Sequence, residues 1–215
     1  MPGDNLKLAN DFAADYDKTI NSENWIGPDV ILIQLNPFIQ PKSKILDLGI
    51  GTGAGSIAFK REGHSITGID GAEKMLEICK AKEIADDLIL HDLEKTPYPL
   101  NDSLFDAVIS NGVFHLIHPI SPVFKEVKRL LKPRGFFVFT FEKDSELESS
   151  TEIEPGIWEK KTATGVLTYK HSTDYIFRKL KEYNFEPQLQ TEFLAFENKE
   201  LQKEFYFTAV AAQIP

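Results

Sequence analysis

Three carboxylates and a run of alternate glycines carry the chemistry in this chain. Asp47 sits in a short apolar run, Ile45-Leu46-Asp47-Leu48, and Gly49, Gly51, Gly53 and Gly55 follow it at every second position. Asp70 lies about twenty residues further on, at the end of a second apolar run that starts at His64. Asp92 follows a third run, Leu88 to Leu90, and His91. An apolar run, a glycine-rich turn and helical spacing from Ala54 to Arg61 give the strand, turn and helix of a nucleotide site. Glycine accepts positive φ and lets the backbone approach a ligand with no Cβ in the way. The helix that follows turns its free N–H groups toward the same place. An acid at the end of the second run is placed to accept hydrogen bonds from ribose hydroxyls. A tight turn without a ligand accounts for the glycines alone. It does not account for three strand ends that each bring an acid or a glycine to one crevice.

Positioning these residues requires a scaffold, and the rest of the chain supplies one. Leu6 to Ile20 mixes apolar residues with charges and reads as one amphipathic helix. Trp25 follows in a loop, and Gly27-Pro28 opens a second helix that Pro37 and Pro41 close. From Lys44 onward strands and helices alternate. Strands are predicted at 44–48, 64–69, 87–91, 105–110 and 135–141, with helices at 54–61, 72–83 and 121–131. Ser121-Pro122 starts the last of these helices and Pro133-Arg134-Gly135 stops it. Such alternation specifies an α/β fold, a mostly parallel sheet with helices on both faces. After Phe141 the pattern breaks. Glu142 to Pro155 is acidic and polar, without apolar periodicity, and is predicted to be a solvated loop. A β-hairpin is predicted from arms 157–160 and 166–169, with its turn near Thr164-Gly165. A helix at 173–183 follows. Two last strands, 185–193 and 204–213, are joined without a crossover helix and should pair antiparallel.

Bulk properties exclude several function classes. The chain has 215 residues, 42% hydrophobic and 27% charged, which suits a single soluble domain. Its formal net charge of −9 repels nucleic acid and anionic membrane. Neither is expected as a partner. Cys79 is the single cysteine, so no internal disulfide forms, and a cytoplasmic location is expected. On a predicted helix and without a nearby base, Cys79 reads as a small buried hydrophobe. No apolar run reaches bilayer length, and the N-terminus lacks a basic-then-apolar leader. The histidines are scattered and show no metal-ligand spacing, so no metal is expected.

Together these segments resemble class I methyltransferases that use S-adenosylmethionine. Asp47 with Gly49, Gly51 and Gly53 is similar to the family's first motif. Gly68-Ile69-Asp70-Gly71, followed by Met75-Leu76, is similar to the second, and His91-Asp92-Leu93 to the third. Phe105 to Ser110 resembles the fourth strand, and Leu130 to Gly135 the segment before the fifth. The resemblance covers residues 40 to 141 well and the ending more loosely. It implies a Rossmann-like seven-stranded methyltransferase sheet whose last strand is antiparallel. It divides the domain into a helical lid (1–40), a cofactor-binding core (41–141), a substrate-side insert (142–171) and a C-terminal helix with antiparallel strands (172–215). It also implies roles. The backbone of Gly49 to Gly53 passes under the methionine part of the cofactor, and Asp47 orients that loop or the amino group. Asp70, with Gly71 beside it, holds the ribose hydroxyls. Met75 lines the adenine side, and Asp92 with the backbone of Leu93 takes the adenine amine. Asn111 lies at the methionine end, and Tyr16 and Trp25 belong to the lid.

Methyl transfer from a sulfonium is an in-line displacement, so the protein must hold the acceptor atom about 3–3.5 Å from the methyl carbon. A base is needed only where the acceptor must lose a proton. His115, shortly after the fourth strand, and His171, at the end of the hairpin, are the candidate bases. His118 precedes Pro119 and reads as a loop residue, and His64 and His91 read as structural. Asn111-Gly112-Val113-Phe114 lacks the prolines of the nucleic-acid amino-methylating relatives, which agrees with the acidic charge in favouring a small-molecule substrate. Two other readings stay open. Gly49-x-Gly51-x-x-Ala54 also fits the loose dinucleotide fingerprint of an NAD(P)-dependent oxidoreductase, although an acid beside the glycines disfavours a pyrophosphate. The other is a methyltransferase-like fold that only binds a partner. A homodimer is also left open.

Overall fold

The structure is a computed structural model and describes residues 3–143, 150–162, 164–198 and 203–215. Its frame is a seven-stranded sheet in the order β3-β2-β1-β4-β5-β10-β9. The strands are β1 (Lys44–Leu48), β2 (Ser65–Asp70), β3 (Asp87–Leu90), β4 (Phe105–Ser110), β5 (Leu131–Glu142), β9 (Glu186–Asn198) and β10 (Lys203–Gln213). β1 to β5 pair parallel, and β10 enters antiparallel against both β5 and β9. This is the architecture expected from the sequence, with the last strand reversed.

Two-sided burial explains why the central strands read as continuous apolar runs. Leu46, Leu48, Val108, Phe137 and Phe139 pack on one face of the sheet, against α5 (Ser121–Leu130) and α6 (Thr173–Glu182). Ile45, Ala107, Ile109, Phe136 and Val138 pack on the other, against α2 (Gly27–Leu35), α3 (Ile57–Arg61) and α4 (Glu73–Ala81). Phenylalanine fills much of the first layer. Phe137 and Phe139, two positions apart on one strand face, stack at 4.5 Å, and Phe124 packs edge-on against both and against Phe114. The strand order reverses between β1 and β4, and the crevice at that point is where ligands bind in open α/β sheets.

Several expectations are corrected. Glu142 to Pro155 is not wholly a loop: β5 runs through Glu142, and Thr151–Glu154 forms a strand, β6. β6 is exposed along its length and is held by pairing to β7 (Ile157–Lys161) rather than by burial. The expected hairpin is therefore a three-stranded sheet, β6-β7-β8, with β8 at Leu167–His171. The expected helix at 54–61 starts only at Ile57, because Gly53 has φ +93° and the chain is still turning through Ala54 to Ser56. No helix among the described residues is long and apolar enough to cross a membrane.

Candidate functional site

Sheet geometry brings the first two acids and the glycine turn together. Asp47 lies one residue before the end of β1 and Asp70 ends β2, and the two strands are in parallel register with Asp47 opposite Gly68. The turn after β1 is pinned to β2 by two hydrogen bonds, since the Gly49 and Ile50 N–H groups both donate to the Ile69 carbonyl, at 2.8 and 3.1 Å. Gly49 and Gly51 have φ of +76° and +54°. A Cβ at Gly49 would lie 2.4 Å from Val113 Cγ2, whereas one at Gly51 would meet nothing within 4 Å. Gly49 is thus needed for packing. Gly51 leaves an open cradle.

The two acids differ in how they are satisfied. Asp70 accepts the Gly51 N–H at 2.9 Å on one oxygen and the Ala72 N–H at 2.8 Å on the other. Burial raises its pKa, opposed by the N–H groups of Ala72, Gly51 and Gly71. Asp47 is 2% exposed. Its Oδ2 accepts the Ser56 hydroxyl at 2.7 Å, while its Oδ1 is buried without a partner. Burial pushes its pKa up to about 7, against the Ser56 bond and with help from the charge of Asp70. A buried carboxylate with an empty oxygen is a site that attracts a cation.

The third acid and the remaining positions surround this pair. Half-buried Asp92 accepts the Glu94 N–H at 3.1 Å, and its Cα lies 3.6 Å from where a Gly71 Cβ would be. Met75 is buried under α1 (Gly3–Ser22), next to Ala13 and Tyr16. Leu93 is buried in the main core, and its carbonyl accepts the Tyr98 hydroxyl at 2.9 Å. Asn111 follows β4. Its Oδ1 is buried without a partner, and a Cβ at Gly55 would sit 3.5 Å from both Asn111 Cβ and Asp47 Oδ2.

α1 lies across the crevice. Asp17 accepts the Thr52 hydroxyl at 2.6 Å and pairs with Lys82, and Asn10 accepts the Lys74 N–H at 2.9 Å. Asn5 exchanges two hydrogen bonds with the backbone of Leu167 in β8. Burial, then the charges of Asp70, Asp17 and Asp47, push the Tyr16 hydroxyl up to about 12. Tyr16 thus belongs with the acids. Trp25 lies elsewhere, against Phe207 at 5.2 Å and Phe193 at 5.7 Å, with its ring near Gly27 and Gly112.

Comparison with known proteins finds similarity over this crevice. The profile described as "Methyltransferase domain" matches residues 46–139, which span β1 to β5 with the glycine turn and all three acids. The chain is similar to a demethylmenaquinone methyltransferase of Clavibacter sepedonicus, 32% identical over 64% of this chain and 57% of that protein. It is also similar to a malonyl-[acyl-carrier protein] O-methyltransferase of Erwinia pyrifoliae, 32% identical over 45% of this chain and 36% of that protein. Residues 46–139 are thus similar to methyltransferase domains. The match spans between about a third and just over half of those relatives' own length. Among solved structures, the chain shares its fold with a 1,6-didemethyltoxoflavin-N1-methyltransferase of Burkholderia thailandensis, with TM-score 0.70 and 15% identity over 97% of this chain and 88% of that one.

The donor set of the crevice fits S-adenosylmethionine. The cofactor carries a sulfonium and an ammonium, and Asp47 Oδ1 is an unpaired buried acceptor next to the open cradle at Gly51.

Beyond the acids and the glycine turn, the chain gathers three histidines, of which the sequence singled out two. His115 lies in a single 3-10 turn, Phe114–Leu116, and packs edge-on against Phe207 at 5.5 Å. β8 packs on that turn and carries Tyr169 and His171 on one strand face. His171 is fully buried and stacks on Tyr175 at 5.6 Å. His118, read from sequence as a loop residue, stacks on Tyr169 at 5.0 Å and reaches Glu154 at 3.5 Å. Burial pushes His115 down to about 4. Burial, then His118 and His115, push His171 down to about 3. The sequence also gave no sign that Lys170, 1% exposed, is buried facing Glu142 at 3.8 Å. Among the described residues, no group of histidine, cysteine or acid side chains is arranged to hold a metal ion.

Proposed function

We propose that the protein transfers a methyl group from S-adenosylmethionine to a small-molecule acceptor by in-line displacement. The single observation that carries this reading is the buried, unpaired Oδ1 of Asp47 beside the open backbone at Gly51. Bound there, the cofactor supplies a methyl carbon activated by a positively charged sulfur. Asp47 holds the amino group, and the backbone from Gly49 through Gly53 runs beneath the methionine part. Asp70 takes the ribose hydroxyls, with Gly71 leaving room beside it. Met75 lines the adenine, and Asp92 with the backbone of Leu93 binds its amine. Asn111 contacts the methionine end. The lid is α1, with Tyr16 on the cofactor and Trp25 at the junction with the acceptor side. His115 and His171 are the groups placed to take a proton from the acceptor. The relatives' names point the same way, since one methylates malonyl-[acyl-carrier protein] and another demethylmenaquinone.

The test is calorimetric titration with S-adenosylmethionine and, separately, with NAD and NADP, followed by a metabolite panel read by release of S-adenosylhomocysteine. Binding of S-adenosylmethionine alone, lost in Asp47→Ala, is expected. Binding of a nicotinamide dinucleotide in its place would support an oxidoreductase, and binding without turnover of any acceptor would support a partner-binding protein.

A further inference from the structure

Among the described residues, nine buried side-chain nitrogens and oxygens have no hydrogen-bond partner. Six belong to five residues around this crevice: Asp47 Oδ1, Asn111 Oδ1, His115 Nδ1, His118 Nδ1 and both ring nitrogens of His171. Buried polar atoms are rarely left unsatisfied, and such a concentration points to a place where water or a ligand satisfies them. Asp47 and Asn111 account for the cofactor side. The four histidine nitrogens form a second group, drawn from the loop after β4 and from β8.

The surroundings of that group are aromatic, and among the described residues the carboxylates of Glu94 and Glu154 reach it at His118. Each histidine rests on a ring, His115 on Phe207, His118 on Tyr169 and His171 on Tyr175. Trp25 continues the Phe207 wall toward Gly112. The buried charges closest in the chain and across the sheet, Lys170 and Glu142, face each other at 3.8 Å.

We propose that the acceptor side of the crevice receives an uncharged, planar molecule whose hydroxyl or ring N–H is held by His171, with His115 beside it. The proposal rests on the methyltransferase reading above and specifies its substrate class. Ring walls select flat apolar bodies. A neutral imidazole offers one acceptor and one donor nitrogen, which matches a protic group rather than a full charge. Burial keeps His115 and His171 neutral, so neither offers a cation to a carboxylate. Lys170 and Glu142 oppose each other, so neither favours an anionic or a cationic acceptor. During transfer the acceptor's lone pair forms the bond to the methyl carbon, and the carbon–sulfur electron pair stays on sulfur. The acceptor's proton passes to a nitrogen of His171. His118, reaching toward the exposed Glu154, gives that proton a route to the surface.

The test uses protein loaded with S-adenosylhomocysteine and three bicyclic probes of matched size: naphthol, naphthoate and naphthylmethylammonium. Calorimetry is expected to show naphthol binding at least about tenfold more tightly than either charged probe. His171→Phe keeps a ring on Tyr175 and removes both nitrogens, and should erase that preference with S-adenosylhomocysteine still bound. The wild-type ranking stands as a test even where the variant misfolds. A charged probe that binds as tightly as naphthol, no binding of any probe, or an undiminished preference in a folded His171→Phe overturns the proposal. Failure of S-adenosylhomocysteine itself to bind overturns the methyltransferase reading instead.

Discussion

Gly51 offers the sharpest separation of folding from binding in the glycine turn. It has φ +54° and open space where a Cβ would stand. Gly51→Ala therefore costs only the left-handed backbone conformation, about 1–2 kcal/mol. In a chain of this length that lowers Tm by about 2–8 °C. The added methyl projects into the cradle that the methionine part of the cofactor is proposed to cross. Overlap there is expected to weaken S-adenosylhomocysteine binding about tenfold to a hundredfold, equivalent to about 1.4–2.8 kcal/mol. Gly53→Ala is the control. Its Cβ would lie 2.6 Å from Ile84 Cδ1 and 3.1 Å from Cys79 Sγ, both buried. Overpacking adds about 1–3 kcal/mol to the same conformational cost, so its Tm should fall further. Melting without ligand and calorimetric titration with S-adenosylhomocysteine read the two effects separately. Wild-type affinity in Gly51→Ala, or a Tm as low as that of Gly53→Ala, would refute the assignment of Gly51 to the ligand and not to the fold.

Three further outcomes are expected. Because burial holds Asp47 up at about 7, its contribution to stability is complete below about pH 4 and is lost as pH rises through about 7, up to about 4 kcal/mol. Asp47→Asn without ligand should therefore melt above wild type at pH 8 while losing S-adenosylmethionine affinity, and a lower Tm at that pH would contradict the argument. Glu126, 5% exposed, accepts the Tyr98 N–H at 2.7 Å and Arg129 at 3.0 and 2.6 Å, so Glu126→Ala should lower stability by about 3 kcal/mol in urea unfolding. Asp17→Asn loosens α1 from Thr52 and Lys82 and should change stability by no more than about 1 kcal/mol. It should nevertheless speed S-adenosylhomocysteine release several-fold in stopped-flow, and an unchanged rate would deny α1 the role of a lid.

The proposed cofactor half of the site was legible because fold and chemistry there leave the same marks on the sequence. Strands buried on both faces must be apolar throughout, so Asp47 and Asp70 stand out, and the turn between elements must be glycine where the backbone bends at positive φ. The acceptor half leaves no such mark. β6 has no apolar alternation because all four of its residues are exposed, and it exists only through its pairing with β7. His118 precedes a proline and follows no period, and the ring it stacks on, Tyr169, arrives from a strand far along the chain. Lys170 and Glu142 are charged residues in apolar company, and only the meeting of β8 with the end of β5 brings them face to face. Local pattern reports what one element does. It does not report which distant element will lie against it.

The contrast between the two halves has a chemical meaning under the proposed reaction. The cofactor side holds carboxylates, Asp47 and Asp70, and attracts positive charge. The acceptor side offers neutral imidazoles, aromatic rings and a mutually opposed Lys170 and Glu142. When a neutral nucleophile attacks a sulfonium, the positive charge spreads over three atoms in the transition state. A weakly polar surrounding penalises a concentrated charge more than a dispersed one, so the proposed acceptor side would favour the transition state over the bound ground state. The same surrounding disfavours a protonated His171, which obliges the proton to leave. Under the proposal, such a site gains rate by keeping net charge away from His171. It follows that His171→Lys, which would place a buried cation at the transfer point, should depress kcat far more than it weakens cofactor binding. Equal losses in both would show that the histidine serves packing alone.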